Sequence, residues 1–87
     1  MSREQIAQLR KDLALSQVEF AQLFGAHFMT VSKWERGIAA PSSYQIALLE
    51  QFRKTVDARK VEAQAQVKKL LVGAGVVAAL LFLLSKG

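Results

Sequence analysis

The chain has 87 residues, enough for one small domain, and 12 Lys and Arg residues outnumber 7 Asp and Glu residues to give a formal net charge of +5. There is no cysteine, so disulfides, thiolate metal sites and cysteine nucleophiles are excluded. A single histidine and the lack of clustered carboxylates leave little material for catalysis or metal binding. We therefore expect no enzyme, no cofactor and no metal site.

The positive charge is concentrated in the second part of the chain. Residues 1–52 hold five basic and five acidic side chains and are neutral, whereas residues 53–87 hold seven basic against two acidic side chains and account for the whole excess. This distribution gives weak support for nucleic-acid affinity in the first part. It gives better support for a second part that lies next to anionic lipid or phosphate.

Capping-box spacings predict where three helices of the first part begin, because each pairs a serine with Gln or Glu three residues later. The pairs are Ser2 with Gln5, Ser16 with Glu19, and Ser42 with Gln45. Apolar residues at helical spacing give these helices, and another from about Phe28 to Arg36, a buried stripe. The stripes consist of Ile6, Leu9 and Leu13; Phe20, Ala21 and Phe24; Val31 and Trp34; and Ile46, Leu49 and Phe52. The second and third helices, joined by a tight turn at Gly25, have the layout of a helix-turn-helix, which puts its second helix into the DNA major groove.

From the end of the first part into the second, the chain has neither glycine nor proline between Pro41 and Gly73. A continuous helix from Ser43 into the C-terminal segment is therefore expected, roughly 60 Å long if about forty residues are helical. Residues 54–69 are too poor in apolar side chains for a strong coiled-coil seam, and they predict a solvated, basic helical linker.

A run of fifteen apolar residues, Leu70–Leu84, follows directly after Lys68 and Lys69. As a helix the run spans only about 22 Å against a hydrocarbon core of ~30 Å, a deficit that lysine snorkelling narrows. Basic residues precede the run and only Lys86 follows it, which by the positive-inside rule places the first part in the cytoplasm. We favour a transmembrane anchor at residues 70–85. The alternative is an oligomerisation helix that packs against its own copies in water.

The strings LSQVEFAQLFG and TVSKWERG, followed by a proline and a final helix with ALLEQF, resemble the Cro/C1-type (XRE) helix-turn-helix domain of phage repressors and bacterial regulators. The resemblance covers about Ile6 to Phe52. It implies an all-α fold, with a compact bundle of four or five helices over residues 1–53, and binding of double-stranded DNA in the major groove. The long helix would follow this bundle, with its linker at residues 54–69.

The resemblance also implies which side chains contact DNA. These are Gln17, Phe28, Met29, Thr30, Ser32, Lys33, Arg36 and Arg10. Lys33 can donate to guanine O6 and N7, and Ser32 can hydrogen-bond to several base or phosphate groups. Gln17 would bring its amide to the DNA backbone or to a base edge. Arg36 and the loop after Gly37 would meet phosphate through a cation and backbone N–H groups.

Four of the positions that match the family have more than one interpretation. Phe28 and Met29 depart from the usual polar pattern, and they can pack on thymine methyl groups or form a protein-binding surface. Arg10 fits a family pair with Glu35 that is structural first and orients the arginine near the DNA backbone. His27 lies where the family places a serine or threonine cap, and an exposed histidine is favoured over a phosphate contact.

From these features we expect a sequence-specific transcriptional regulator that is tethered to the inner membrane, with its helix-turn-helix in the cytoplasm. Self-association to a homo-oligomer would link two half-site contacts, and Gly75 with Ala79 offers small residues four apart for such packing. The alternative is a membrane-bound adaptor similar to RodZ-type cytoskeletal proteins, whose helix-turn-helix binds an actin-like filament. The apolar Phe28 and Met29 and the neutral charge of the first part favour this alternative.

Overall fold

A computed structural model describes residues 1–85, which form six helices. They are α1 (Arg3–Asp12), α2 (Gln17–Gln22), α3 (Phe28–Glu35), α4 (Ser43–Ala58), α5 (Lys60–Gly73) and α6 (Val76–Leu84). No strand occurs among these 85 residues, in agreement with the predicted all-α class. Four of them, α1–α4, begin within residues 1–53, where four or five helices were expected, and α5 and α6 of the second part pack into the same bundle.

All three predicted capping boxes are present, and they determine where α1, α2 and α4 begin. In each box the serine hydroxyl accepts a hydrogen bond from the backbone N–H three residues later, at 3.1–3.2 Å. The Gln or Glu side chain in turn accepts from the serine N–H at 2.8–2.9 Å. Each serine cap contributes about 1 kcal/mol to helix stability. These boundaries are therefore set by local sequence.

Aromatic rings join α2, α3 and α4 at the centre of the first part. The centroid of the Phe24 ring lies 5.2 Å from that of Phe20, 5.4 Å from that of Trp34 and 5.5 Å from that of Phe52. Edge-on and tilted pairs at this spacing add about 0.5–1.5 kcal/mol each beyond the burial of area. The predicted stripe residues that are buried are Ile6, Leu9, Leu13, Phe20, Ala21, Val31, Trp34, Leu49 and Phe52.

The predicted continuous helix from Ser43 into the C-terminal segment is wrong. The chain bends at Arg59, which has φ −140° and ψ 48°, and again after Gly73, where Gly75 has φ +100°. These bends let α5 and α6 pack against each other and let α6 pack against α4. Burying apolar side chains, at ~25 cal/mol per Å², outweighs the few backbone hydrogen bonds that the bends interrupt.

The segment predicted to be a solvated linker is part of the hydrophobic core. Within residues 54–69, the side chains of Val56, Ala63 and Val67 are fully buried. The apolar run that follows adds Leu71 and the α6 residues Ala79 and Leu83 to the same cluster. The first and second parts of the chain therefore share one core.

The structure does not support the predicted membrane anchor, because residues 1–85 include no helix long and apolar enough to cross a membrane. The run Leu70–Leu84 is divided between the end of α5 and α6. Ala79 is buried inside its own chain, so its pairing with Gly75 cannot form an interface between copies. Lys86, which entered the orientation argument, lies outside the described residues.

Polar contacts hold the end of α6 against the corner between α4 and α5. The Thr55 hydroxyl, 2% exposed, donates a 2.6 Å hydrogen bond to the carbonyl of Leu83. The Arg59 guanidinium lies 4.5 Å from the centroid of the Phe82 ring and donates to Ser85 Oγ at 3.2 Å. A cation over an aromatic ring contributes about 0.5–2 kcal/mol. These contacts give the returning helix a defined position.

Three ion pairs connect the second part to the helices of the first part, and the longest joins Lys60 Nζ of α5 to Asp12 Oδ1 at 3.8 Å. Arg53 Nη2 of α4 lies 2.9 Å from Asp12 Oδ2 at the end of α1. Lys68 Nζ of α5 lies 3.5 Å from Oε1 of Glu19, the residue that completes the capping box of α2. The backbone hydrogen bond from Ser16, with help from Lys68, lowers the pKa of Glu19 despite partial burial. The carboxylate is therefore charged near neutral pH.

Candidate nucleic-acid interface

The turn between α2 and α3 sets the direction of the second helix of the motif. Gly25 adopts the left-handed conformation, with φ +60°, which is the conformation expected at a helix end. His27 then caps α3, since its Nδ1 accepts a hydrogen bond from the Met29 N–H at 3.2 Å. His27 is exposed, as expected, but its capping role goes beyond that expectation. The family's serine or threonine at that position was the signal that pointed to a cap.

One face of α3 is buried and the opposite face is exposed. Val31 and Trp34 anchor the helix in the core, as expected. The proposed base-contacting residues lie on the other side: Phe28 and Met29 are 40% and 42% exposed, and Lys33 is exposed. The remaining two proposed α3 contacts, Thr30 and Ser32, are half-buried. The exposed face thus combines two apolar side chains with one cation.

A network of charged and polar side chains fixes α1, α2 and α3 relative to one another. Arg10 Nε and Nη2 donate to the two Glu35 carboxylate oxygens at 2.7 and 2.9 Å, and Nη1 donates to the carbonyl of Leu15 at 3.0 Å. The Gln17 amide donates to Glu35 Oε1 at 3.2 Å. Bidentate pairs of this kind are strong and directional. The expected pair of Arg10 with Glu35 is therefore present and ties the start of α2 to the end of α3.

The electrostatics of this network favour the charged form of both partners. Burial of Glu35 opposes ionisation, but hydrogen bonds from Arg10 and Gln17 and the nearby charges of Arg10 and Lys11 outweigh it and lower the pKa of Glu35. The hydrogen bond to Glu35 raises the pKa of Arg10 against the effect of burial. The side chains of Arg10 and Glu35 are only 16% and 10% exposed. Arg10 is thus placed to position its neighbours, with three of its N–H groups already engaged.

The loop after α3 differs in one respect from the expected phosphate contact. The Ile38 and Ala39 N–H groups both donate to the Lys33 carbonyl, at 2.9 and 3.3 Å, so neither is free to bind an anion. Arg36 is exposed, and its Nε donates to the Ser32 carbonyl at 3.3 Å. The expected cation is therefore present, but these two backbone N–H groups bond to the last turn of α3.

Two further cations lie near the C-terminal end of α3 and were not singled out from the sequence. Lys11 is exposed in the last turn of α1, close enough to Glu35 for its charge to lower the pKa of that carboxyl. Arg3 donates to the Arg36 carbonyl at 3.3 Å. Both lie on α1, and only the packing of α1 against α3 brings them here. Spacing within the sequence contains no signal for that proximity.

These features can be compared with known proteins. The family model described as Helix-turn-helix matches residues 6–52, just over half of the chain. The chain belongs to the helix-turn-helix family. No curated protein matches the chain, and no solved structure matches it. The matched residues run from the middle of α1 into α4 and include the whole network around Glu35. The helix-turn-helix domain indicates a DNA-binding regulator of the XRE type.

Proposed function

We propose that this protein is a sequence-specific transcriptional regulator whose α3 enters the major groove of double-stranded DNA. The observation that supports it best is the arrangement of α3, which buries Val31 and Trp34 and turns Phe28, Met29 and Lys33 outward. A major groove about 12 Å wide admits one helix, and a helix that presents its early side chains can reach base edges. The proposal places the domain in the cytoplasm, where bacterial DNA is found.

The exposed side chains of α3 have distinct roles in this proposal. Lys33 donates to guanine O6 and N7, which provides the main hydrogen-bond discrimination. Phe28 and Met29 pack on thymine methyl groups, which favours A·T pairs next to the guanine. Thr30 and Ser32, which are half-buried, hydrogen-bond to the base or phosphate nearest the helix. The preferred site therefore contains both a guanine and flanking thymines.

Other side chains set the register on the duplex by contacting phosphate. Gln17 lies at the first position of α2, where its amide donates a hydrogen bond to Glu35 of α3. Arg36 and Lys11 supply exposed cations on either side. Arg10 acts through Glu35 and keeps α2 and α3 in the geometry that presents these groups.

A domain with one short recognition helix gains affinity when two copies of it bind adjacent half-sites. Such sites lie about 34 Å apart along the duplex, and linking two contacts raises the apparent affinity without any new contact to DNA. We therefore include self-association in the proposal. The regulator then recognises a two-fold symmetric site.

The test is selection of bound sequences from a randomised duplex pool by the full-length chain, followed by titration of the selected duplex. Lys33→Ala should weaken binding about 5- to 150-fold, which corresponds to the ~1–3 kcal/mol of a specific base contact. Lys54→Ala is the matched control, since it removes an equal charge from an exposed position on α4. Equal losses in both variants would contradict base recognition by α3 and leave only charge attraction.

The adaptor interpretation has one observation in its favour, the exposure of Phe28 and Met29 on α3. Apolar side chains on a surface are also typical of protein-binding sites. The selection experiment separates the two functions. If the protein is an adaptor, the selection enriches no sequence. The Phe28→Ser variant then loses binding to a protein partner, and its weak, non-specific DNA binding is unaffected.

A further inference from the structure

Two lysines of α5 extend from the second part of the chain to the helix-turn-helix. Lys60 Nζ lies 3.8 Å from Oδ1 of Asp12 at the end of α1, and Lys68 Nζ lies 3.5 Å from Oε1 of Glu19 in the first turn of α2. The two side chains thus reach both ends of the loop that joins α1 to α2. We call Lys60 and Lys68 the α5 lysines, and both lie outside the residues of the family match.

Lys68 lies next to the part of α2 that is proposed to contact the DNA backbone. The Glu19 oxygen that is 3.5 Å from Lys68 Nζ also accepts a hydrogen bond from the Ser16 N–H at 2.9 Å. Ser16 immediately precedes Gln17, whose amide donates to Glu35 at the end of α3. A short series of contacts therefore connects Lys68 to the start of α2 and from there to the recognition helix α3.

Lys60 lies near a second group that is proposed to contact phosphate. Its partner, Asp12, directly follows Lys11 in the last turn of α1. The charge of Lys11 is close enough to Glu35 of α3 to lower the pKa of that carboxyl. Each of the α5 lysines is therefore next to a residue that the proposed function brings to the duplex.

The ion pairs leave the α5 lysines able to bind another anion. Their side chains are 55% and 53% exposed, and both pairs are longer than a charge-assisted hydrogen bond of about 2.7–2.9 Å. The carboxylates have closer donors: Asp12 accepts from Gln8 at 2.8 Å and from Arg53 at 2.9 Å, and Glu19 accepts from the Ser16 N–H. Exposed pairs of this kind contribute little to stability, so a phosphate can replace the carboxylate at small cost.

We propose that the α5 lysines bind DNA phosphates that flank the base pairs read by α3. The inference rests on the proposed function, which brings the duplex to α3. A lysine ammonium is a compact charge with three rotatable donors, and it binds phosphate without a fixed geometry. Residues 53–87 carry the whole net charge of +5, and the α5 lysines bring part of that charge to the duplex. The DNA-binding surface therefore extends beyond the matched residues 6–52.

The experiment is a salt titration of DNA binding by the full-length chain, on the selected duplex and on a duplex of unrelated sequence. Each phosphate contact adds about 0.9 to the steepness with which log affinity falls against log salt concentration. Lys60→Ala and Lys68→Ala should each reduce this slope by about 0.9, and the double variant by about 1.8. For each lysine the loss of affinity is then about eightfold at 0.1 M salt and disappears towards 1 M. The base preference should stay the same, because phosphate contacts carry no sequence information.

Lys69→Ala is the matched control, since it removes the same charge from the same helix. Lys69 is exposed and lies two residues after the buried Val67, which places it on the opposite side of α5. This variant should keep the slope of the wild type. Thermal unfolding verifies that every variant folds.

A second background separates binding of phosphate from neutralisation of a neighbouring carboxylate. Glu19→Gln keeps a side chain that can complete the capping box of α2 and removes the charge beside Lys68. Lys68→Ala should reduce the slope by about 0.9 in this background as well. A role limited to neutralising Glu19 would leave no effect of Lys68→Ala there.

Three outcomes would overturn the proposal. They are an unchanged slope in both α5 variants, an equal decrease in Lys69→Ala, and loss of the effect of Lys68→Ala in the Glu19→Gln background. Sequence-specific binding that requires Lys33 but neither of the α5 lysines would leave the proposed function intact. If the selection enriches no sequence, the proposed function alone is contradicted, since the slope on the unrelated duplex still measures the contacts of the α5 lysines.

Discussion

Replacing Thr55 by valine tests whether α6 returns to the core. Valine has nearly the same shape as threonine but lacks the hydroxyl that donates to the Leu83 carbonyl at 2.6 Å. The hydroxyl also lies 3.2 Å from the Gln51 carbonyl, but it has one proton and the contact with Leu83 is shorter. Thr55→Val therefore leaves the carbonyl of Leu83 buried without its donor. The expected cost is about 1–3 kcal/mol in the free energy of unfolding.

This cost corresponds to a decrease in Tm of roughly 4–24 °C for a domain of this size. Circular dichroism during thermal unfolding measures the decrease, and hydrogen exchange should show faster exchange of the α6 amides. Thr55→Ser is the control, because it keeps the donor and removes one methyl group, so the α6 amides should remain protected.

The sign of the change in Tm of Thr55→Val decides whether α6 packs on α4. If α6 did not pack on α4, Thr55 would have no partner on α6. Valine at an apolar site would then leave stability unchanged or raise it. An unchanged or higher Tm for Thr55→Val would therefore refute the docked position of α6.

Two further measurements test the turn before α6 and the network under α3. Gly75→Ala should lower stability by about 1–3 kcal/mol, because φ +100° with ψ 175° is a region that only glycine adopts readily and no atom lies within 4 Å of the added Cβ. Gly73→Ala is the control, because Gly73 is helical and a Cβ added there also meets no atom within 4 Å, so this variant should be neutral or stabilised by up to ~1 kcal/mol. Chemical denaturation of both variants then separates backbone strain from crowding. The pKa of Glu35 is lowered in the folded state, so the stability it contributes is present above its ordinary pKa of 4.5 and is lost as the pH falls through the lower folded value. Glu35→Gln should reduce the free energy of unfolding at pH 7 by about 1–3 kcal/mol and flatten its decline in acid, and a pH series with an unchanged slope would contradict the role of the pair with Arg10.

The elements that the sequence predicted correctly depend on neighbouring residues. A serine followed three residues later by Gln or Glu forms a capping box whatever the rest of the chain does, so the starts of α1, α2 and α4 follow from local chemistry. The buried stripes of these helices follow from the helical period. The pair of Arg10 with Glu35 was also foreseen, although only through the family resemblance.

The bends in the second part of the chain depend on packing between residues that are distant in sequence. No local pattern predicts such packing. An apolar run of fifteen residues has the same composition whether lipid or a protein core surrounds it. Gly75 was interpreted as a small residue for helix packing, whereas its structural role is to let the chain turn at φ +100°. Arg59, at the other bend, is neither glycine nor proline and gave no warning of a helix end.

The prediction of individual contacts around α3 was limited for a similar reason. Lys11 and Arg3 reach the C-terminal end of α3 only because α1 packs against α3. The Ile38 and Ala39 N–H groups donate hydrogen bonds to the Lys33 carbonyl. Residue types do not specify this detail of loop geometry. The residue types of α3 itself, by contrast, were sufficient to separate its buried side from its exposed side.

The shared core has a consequence for how this protein can be divided or grafted. The family match ends at residue 52, in the middle of α4, but Val56, Val67 and Leu83 continue the same cluster beyond it. The unit that sequence comparison recognises is therefore shorter than the unit that folds. A chimera that contains only the matched segment would expose the core side chains that α5 and α6 cover. A graft of the helix-turn-helix therefore needs α5 and α6 as well.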